Sequence, residues 1–256
     1  MSHCNNIRHF SYTVYNHLSR VFKYRLSFSE IGLTDLLILS LVEYSNASGD
    51  NSIEIYKLPW TVESVYGNDI DLFIQNDAGT YNWYALQAKV MAFNGAFKDL
   101  KFNRKEAFQQ WDKLLLHEKK FGSKTFYLLY CGESLRPLSA NPTRLDCIGI
   151  PSINELGLGI VETNIISDIR SNTLTKSQQF YFEYVFPNHI DSIRKLFCCQ
   201  SEFSPGIQSF KKEDIETYGY RRIFYDDAKT KGEDEYYDIN EIPDGSAQFR
   251  IILKNK

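Results

Sequence analysis

The pattern of apolar and polar positions along the chain predicts its elements before any other property is needed. Ile7, Phe10, Val14, Leu18, Val21, Phe22 and Leu26 recur at three and four residues, with Arg8, Asn16, Arg20 and Lys23 between them, which predicts an amphipathic helix in need of a partner surface. Ser27-Phe28-Ser29-Glu30 has the form of a capping box, and Leu33, Leu36, Leu37, Leu41 and Tyr44 predict a core helix from about 27 to 44. The period then changes from 3.6 to 2. Ile53 to Leu58 alternates as a first strand ahead of Pro59. Ile70, Leu72 and Ile74 alternate with Asp69, Asp71, Phe73 and Gln75, and Tyr84, Leu86, Ala88 and Val90 alternate with Trp83, Ala85, Gln87 and Lys89. These are two strands of a hairpin, because Asn76 to Asn82 between them supplies the Asn, Asp and Gly that a hairpin loop accepts.

Ala107, Phe108, Trp111, Leu114 and Leu115 predict a helix over 104–121, with Gln110 beside the apolar stripe and Gln109 pointing outward. Thr125 to Cys131 reads as a buried strand, so the elements from 27 to 131 run α-β-β-β-α-β. Beyond Gly132 the signal weakens. The reading there is a loop over 134–144, a short strand over 147–150, no clear pattern over 155–172, and helices over 178–185 and 188–199 separated by Pro187 and started by Asn188. A mixed stretch over 211–225, a charged loop over 226–235 and a last strand over 249–253 follow. The fold class is therefore α/β of the α+β kind, a central mixed β-sheet flanked by helices. Residues 1–132 form a core with its N-terminal helices, and 133–256 form either an extension of the same domain or an accessory, partner-binding region.

Composition narrows the picture. With 256 residues and 43% apolar content the chain can bury a sizeable core. Five cysteines without a CxxC, two of them adjacent at 198 and 199, argue against a disulfide framework and fit a reducing cytoplasm. The start lacks an apolar signal region and no run is long enough to span a bilayer, so a soluble protein, not secreted by that route, is expected. A net charge of −3 is unfavourable for tight, unaided binding of nucleic acid. His3, Cys4 and His9 match no zinc spacing and read as a solvated helix start. P-loop, dinucleotide-binding, zincin and nucleophile-elbow signatures are all missing from the sequence.

The candidate chemistry lies in the hairpin, where Asp71, Gln87 and Lys89 fall on faces that antiparallel pairing can bring together. Gly67-Asn68-Asp69-Ile70-Asp71 followed by a hairpin and Gln87-Ala88-Lys89 in an apolar strand resembles the core of the PD-(D/E)xK nuclease superfamily, over roughly residues 27 to 130. The resemblance implies a restriction-endonuclease-like core and a Mg²⁺- or Mn²⁺-dependent phosphodiesterase acting on DNA, with RNA as an alternative. It places metal ligands at Asp71, at Gln87 and at Glu30 on the helix ahead of the hairpin, with Glu43 behind it, and makes Lys89 the residue that orients or activates the attacking water. Gln87 stands where Glu or Asp is commoner; an amide oxygen still binds a hard cation, with weaker affinity for want of the charge. The family's helix glutamine corresponds to Gln110.

Each of these residues also has a plainer reading. Glu30 is explained by capping, Asp71 by an ion pair with Lys89, and Gln110 by its boundary position; Glu63, between the first strand and the hairpin, either supplements the acidic cluster or is a solvated loop charge. Asp69 either assists the metal or begins the strand, and Asp71 is the stronger choice because it lies deeper in the alternation. Lys98, Lys101 and Arg104 interleave with Phe97 and Phe102 after the lysine strand, as a phosphate-contacting segment or as a solvated loop. The resemblance and the acidic charge together imply an effector nuclease of bacterial antiphage defence, governed by a protein partner or by homo-oligomerisation. The rival expectations are a catalytically silent nuclease fold serving as a binding or scaffolding subunit, and an ordinary α/β binding protein.

Overall fold

A computed structural model describes residues 3–49, 51–58, 65–103, 105–106, 108–136, 138, 140–145, 149–199, 207–217, 219–223 and 244–254. The two N-terminal helices form as the periodicity predicts: α1 is His3–Lys23 and α2 is Glu30–Ser48. The cap of α2 is Ser29, whose hydroxyl accepts the Gly32 N–H at 3.1 Å, so Glu30 is the first helical residue and plays no part in a capping box. Strands β1 (Ile53–Lys57), β2 (Ile70–Gln75) and β3 (Tyr81–Val90) follow. After a two-residue strand β4 (Ala96–Phe97) come α3 (Gln110–Phe121) and β5 (Lys124–Tyr130).

Helix α3 starts later than its apolar spacing suggests. Gln109 is the N-cap, paired with Asp112 in a reciprocal cap, and its side chain is buried, gripping Asn103 N–H at 2.7 Å and Asn103 C=O at 3.0 Å. The expectation that Gln109 points outward is therefore corrected: the chain ahead of the helix folds back over it, and Gln109 satisfies that backbone.

The later segments are shorter than predicted. They comprise β6 (Leu158–Glu162), α4 (Thr163–Asp168) running into a π-helical turn (Ile169–Thr173), β7 (Phe180–Tyr181), β8 (Asp191–Ser192), α5 (Arg194–Cys198), β9 (Ser209–Phe210), β10 (Arg221–Arg222) and β11 (Phe249–Leu253). The helices expected over 178–185 and 188–199 give way to two strand fragments, a 3₁₀ turn at Phe182–Tyr184 and the five residues of α5. Pairing to neighbours overrides local spacing there: Phe180 and Tyr181 join β4, and Asp191 and Ser192 join β6. Within the short strand expected over 147–150, residues 147 and 148 lie outside the described residues, as does the whole charged loop over 226–235.

The main sheet is mixed, in the order β10-β1-β11-β2-β3-β5-β6-β8 with β9 on the turn end of β3. Strands from both sides of residue 132 share it, and β11 sits between β1, antiparallel, and β2, parallel. The hairpin β2–β3 is antiparallel with Asp71 opposite Ala85 and Ile70 opposite Leu86. Helices flank both faces. On one, Thr34 of α2 meets the Tyr130 hydroxyl at 3.0 Å; on the other, His117 of α3 stands edge-on to Trp83 at 4.8 Å. Tyr130 is in register with Val90, seven residues from Trp83, so the period of two puts these contacts on opposite faces.

Candidate active site

The cluster lies where β2 stops and β3 continues. Asp69 N–H donates to Leu86 C=O at 2.8 Å and Asp69 C=O accepts from Phe249 N–H at 3.1 Å, so its backbone is the last rung on both sides of β2. Past that rung β3 runs on to Val90 beside β5 without β2. The Asp69 carboxylate takes over the ladder, accepting the Ala88 N–H at 2.8 Å and the Gln87 amide NH₂ at 2.6 Å. Glu30, at the N-terminus of α2 where the helix dipole favours an anion, reaches the same place. Both of its oxygens lie 3.3 Å from Lys89 Nζ, and Oε1 is 3.5 Å from Gln87 Nε2. Gln87 and Lys89 are themselves buried.

Gly67 brings a further glutamine in. Its φ of 77° is in the left-handed region, and a Cβ there would stand 3.3 Å from Gln110 Cγ and 3.4 Å from Gln87 Oε1. A bare backbone is what lets Gln110, the first residue of α3, lie alongside Gln87.

Two carboxylates thus gather around one lysine and one amide. Burial pushes the Glu30 carboxyl up to about 7, with Lys89 opposing and Asp69 and Asp99 adding to the rise. Burial likewise pushes Asp69 up to about 6, against the pull of Lys89, the Ala88 N–H and Gln87. Acids poised so near neutrality accept a proton or a cation readily.

Asp71 is elsewhere. It shares the face of Gln87 and Lys89 but sits one pair deeper, fully enclosed, with both oxygens occupied by four donors. Asn68 Nδ2 at 2.9 Å and Trp83 Nε1 at 3.0 Å bind Oδ1, and Ala247 N–H and Arg250 Nη2, each at 3.0 Å, bind Oδ2. Arg250 is its register neighbour on β11 and is buried over the rings of Tyr220 and Phe73. The ion pair foreseen for Asp71 is therefore made with Arg250, while Lys89 pairs with Glu30. Along this face the hairpin passes from an aromatic cluster of Phe73, Tyr81 and Trp83, through the Asp71–Arg250 pair, to the group at Asp69.

Of the remaining sequence candidates, Glu43 is exposed further along α2, and Lys98 and Lys101 are exposed just after β4. Glu63 and Arg104 lie outside the described residues. Two residues of this neighbourhood escape sequence reasoning. Tyr127 is in register with Gln87 on β5 but is hidden in an all-apolar run, and Arg170 lies in the π-helical turn, where the sequence shows no pattern.

The donors suit a hard cation. Glu30 Oε1 and Asp69 Oδ2 converge on one atom, Gln87 Nε2, and turning the amide over would present Oε1 in its place, giving three oxygens of the kind Mg²⁺ and Mn²⁺ prefer. Among the described residues no group of three or more His, Cys, Asp or Glu side chains converges, so the charge available is that of two carboxylates. The described residues also include no helix long and apolar enough to cross a membrane, and Cys131 and Cys199 are free thiols.

Comparison with protein families matches the chain to Family of unknown function (DUF6615) over residues 3–239. The chain belongs to this family. No curated protein matches it. The span that makes this chain a DUF6615 member includes Glu30, Asp69, Gln87, Lys89 and Gln110, whereas Arg250 and β11 lie beyond it.

Proposed function

We propose that the chain is a metal-dependent nuclease with a restriction-endonuclease-like core, and that Asp69, not Asp71, is the aspartate of its site. The observation that carries this reading is the meeting of Glu30, Asp69, Gln87 and Lys89 at the open end of the hairpin. Glu30, Asp69 and the Gln87 amide oxygen would hold Mg²⁺ or Mn²⁺. When bound, the ion supplies charge to polarise a phosphodiester and to acidify water. Lys89, the ammonium paired with Glu30, would orient the attacking water by donating hydrogen bonds to it. Gln110 borders the group and positions Gln87. Asp71 keeps the hairpin in register with β11 through Arg250.

DNA is the preferred substrate, with RNA as the alternative. The net charge of −3 gives little long-range pull on a polyanion, which supports an effector whose positive surface is completed by a protein partner or by self-association, in the manner of cytoplasmic antiphage nucleases. One observation favours a second reading, a silent nuclease fold used as a binding subunit: the Gln87 NH₂ already bonds one carboxylate closely and approaches the other, leaving the group satisfied without a cation.

The deciding experiment pairs Mn²⁺ titration calorimetry with cleavage of plasmid and single-stranded DNA and of RNA, in wild type, Asp69→Asn and Lys89→Ala. The proposal expects EDTA-sensitive cleavage that both variants lose, with metal binding lost only in Asp69→Asn. Wild-type metal binding without cleavage of any of these substrates supports the silent reading, and cleavage by either variant removes the mechanism.

A further inference from the structure

Beside the carboxylate group is a set of buried donors that no acceptor among the described residues uses. Arg170 is 6% exposed. Its Nη1 donates to Gln178 C=O at 2.9 Å, its guanidinium lies 5.8 Å from the ring of Trp111, and its Nε and Nη2 have no hydrogen-bond partner. Those two nitrogens form one edge of the guanidinium fork, two parallel N–H bonds spaced to grip two oxygens of a single oxyanion. The Tyr127 hydroxyl, wholly buried, also lacks a partner.

Both groups belong to the same neighbourhood. Tyr127 is in register with Gln87 on the adjoining strand, and parallel pairing puts their side chains on one face. Trp111 follows Gln110 on α3, so the ring beside Arg170 is one residue from the glutamine that flanks Gln87. Charge acts across the whole set: burial lowers the Arg170 pKa while Tyr184 and Tyr127 oppose the fall, and Tyr127 in turn senses Asp112, Asp69 and Glu30. Arg170 also comes from a π-helical turn, a geometry frequent at functional sites.

A buried fork edge and a buried hydroxyl left without acceptors are unfavourable unless something binds them. The Gln178 C=O satisfies Nη1 alone. An edge with two parallel donors, a cation behind it and a third donor nearby matches a phosphate better than a neutral acceptor.

We infer that Arg170 and Tyr127 form a phosphate subsite next to the carboxylate group, which takes a phosphate of the nucleic-acid strand other than the one being cut. The inference rests on the nuclease reading for the identity of its ligand. The Arg170 fork grips two phosphate oxygens, the Tyr127 hydroxyl donates to one of them, and the strand is thereby placed with a neighbouring phosphodiester at the Glu30–Asp69 group. Because the donors are enclosed, a strand end enters more easily than the middle of a duplex.

The test uses the full chain in EDTA, so that binding is read without the metal. Inorganic phosphate and thymidine 5′-monophosphate are titrated by calorimetry and by thermal shift against wild type, Arg170→Lys, Tyr127→Phe and Asp69→Asn. Arg170→Lys keeps the charge and loses the fork; Tyr127→Phe keeps the ring and loses the donor. Wild type is expected to bind, Asp69→Asn at least as tightly because a nearby negative charge is removed, and Arg170→Lys about tenfold or more weakly, as the loss of a charge-assisted contact implies. Tyr127→Phe should fall between them. Sulfate should compete and acetate should not. Equal binding by wild type and both subsite variants, or no saturable binding by wild type, overturns the inference whatever the cleavage assays give. Weakened phosphate binding in a protein that cuts nothing retains the subsite and removes the nuclease reading.

Discussion

The Asp69 carboxylate and the Gln87 amide meet at 2.6 Å where β2 gives way and β3 goes on, whereas Asp71, two residues away on the same face, is closed off by Arg250 at 3.0 Å. Two aspartates of one strand thus have opposite surroundings, and their substitutions should have opposite effects. Asp71→Ala leaves a buried guanidinium unpaired and should lower stability by about 3–5 kcal/mol, read from the urea midpoint. Asp69→Asn should abolish Mn²⁺ binding with no loss of stability. A stable Asp71→Ala variant that no longer binds metal would reverse the two assignments.

The pH dependence follows from the raised carboxyls. Glu30 at about 7 and Asp69 at about 6 hold protons in the folded state that the unfolded chain, with ordinary carboxyls, releases at lower pH. The folded state binds more protons between the two sets of values, so this contribution to stability is fully present below about pH 4 and is lost as pH rises through 6 and 7. Glu30→Gln leaves Asp69 and Lys89 as a neutral pair. In EDTA at pH 8 it should melt higher than wild type, with the difference shrinking at pH 5. A constant difference across that range would show that Glu30 is not held protonated.

The same charges govern the cation. Gln87→Glu adds a third carboxylate to a site with one lysine, so Mn²⁺ half-saturation should fall by a few fold while the metal-free protein melts lower at pH 8. Titration of both proteins decides the point: unchanged affinity means that position 87 does not face the metal.

Lys98 and Lys101 are exposed beyond β4, near enough to the site that Asp99 between them acts on Glu30. Changing both to Gln should reduce the salt dependence of DNA binding by about two units of log–log slope, alike for all sequences and without effect on metal affinity. Non-specific binding by the isolated chain should be weak, on the order of 10⁻⁴ M at physiological salt. Fluorescence anisotropy at several salt concentrations measures both quantities.

The hairpin, both N-terminal helices and β5 were legible because each buries one face and repeats with its own period, and the last strand showed the same apolar run. What the alternation does not encode is where along a face a residue lies. Asp69 and Asp71 share a face, and only the end of β2 pairing separates them. The partner that removes Asp71 from the site is 179 residues away in sequence. Phe182, Val185, Ile190 and Ile193 have spacings compatible with a helix, but Ile193 N–H goes to Leu158 C=O and β8 pairs with β6, so the sheet edge decides their conformation. Arg170 and Tyr127 gave no signal because neither sits in a pattern that marks polar chemistry.

The place of β11 in the sheet has a consequence for the timing of synthesis. β1 and β2 are made early, yet the space between them is filled by residues 249–253, and the Asp71 charge waits for Arg250. At ~5–20 residues per second, a ribosome needs roughly 10–35 s to travel from one member of that pair to the other. Throughout that interval Asp71 lacks its Arg250 and β2 has an open edge, so the sheet is complete only once residues 249–253 have been made. The backbone of Asp69, whose C=O accepts the Phe249 N–H, is therefore fixed on both sides only when β11 emerges.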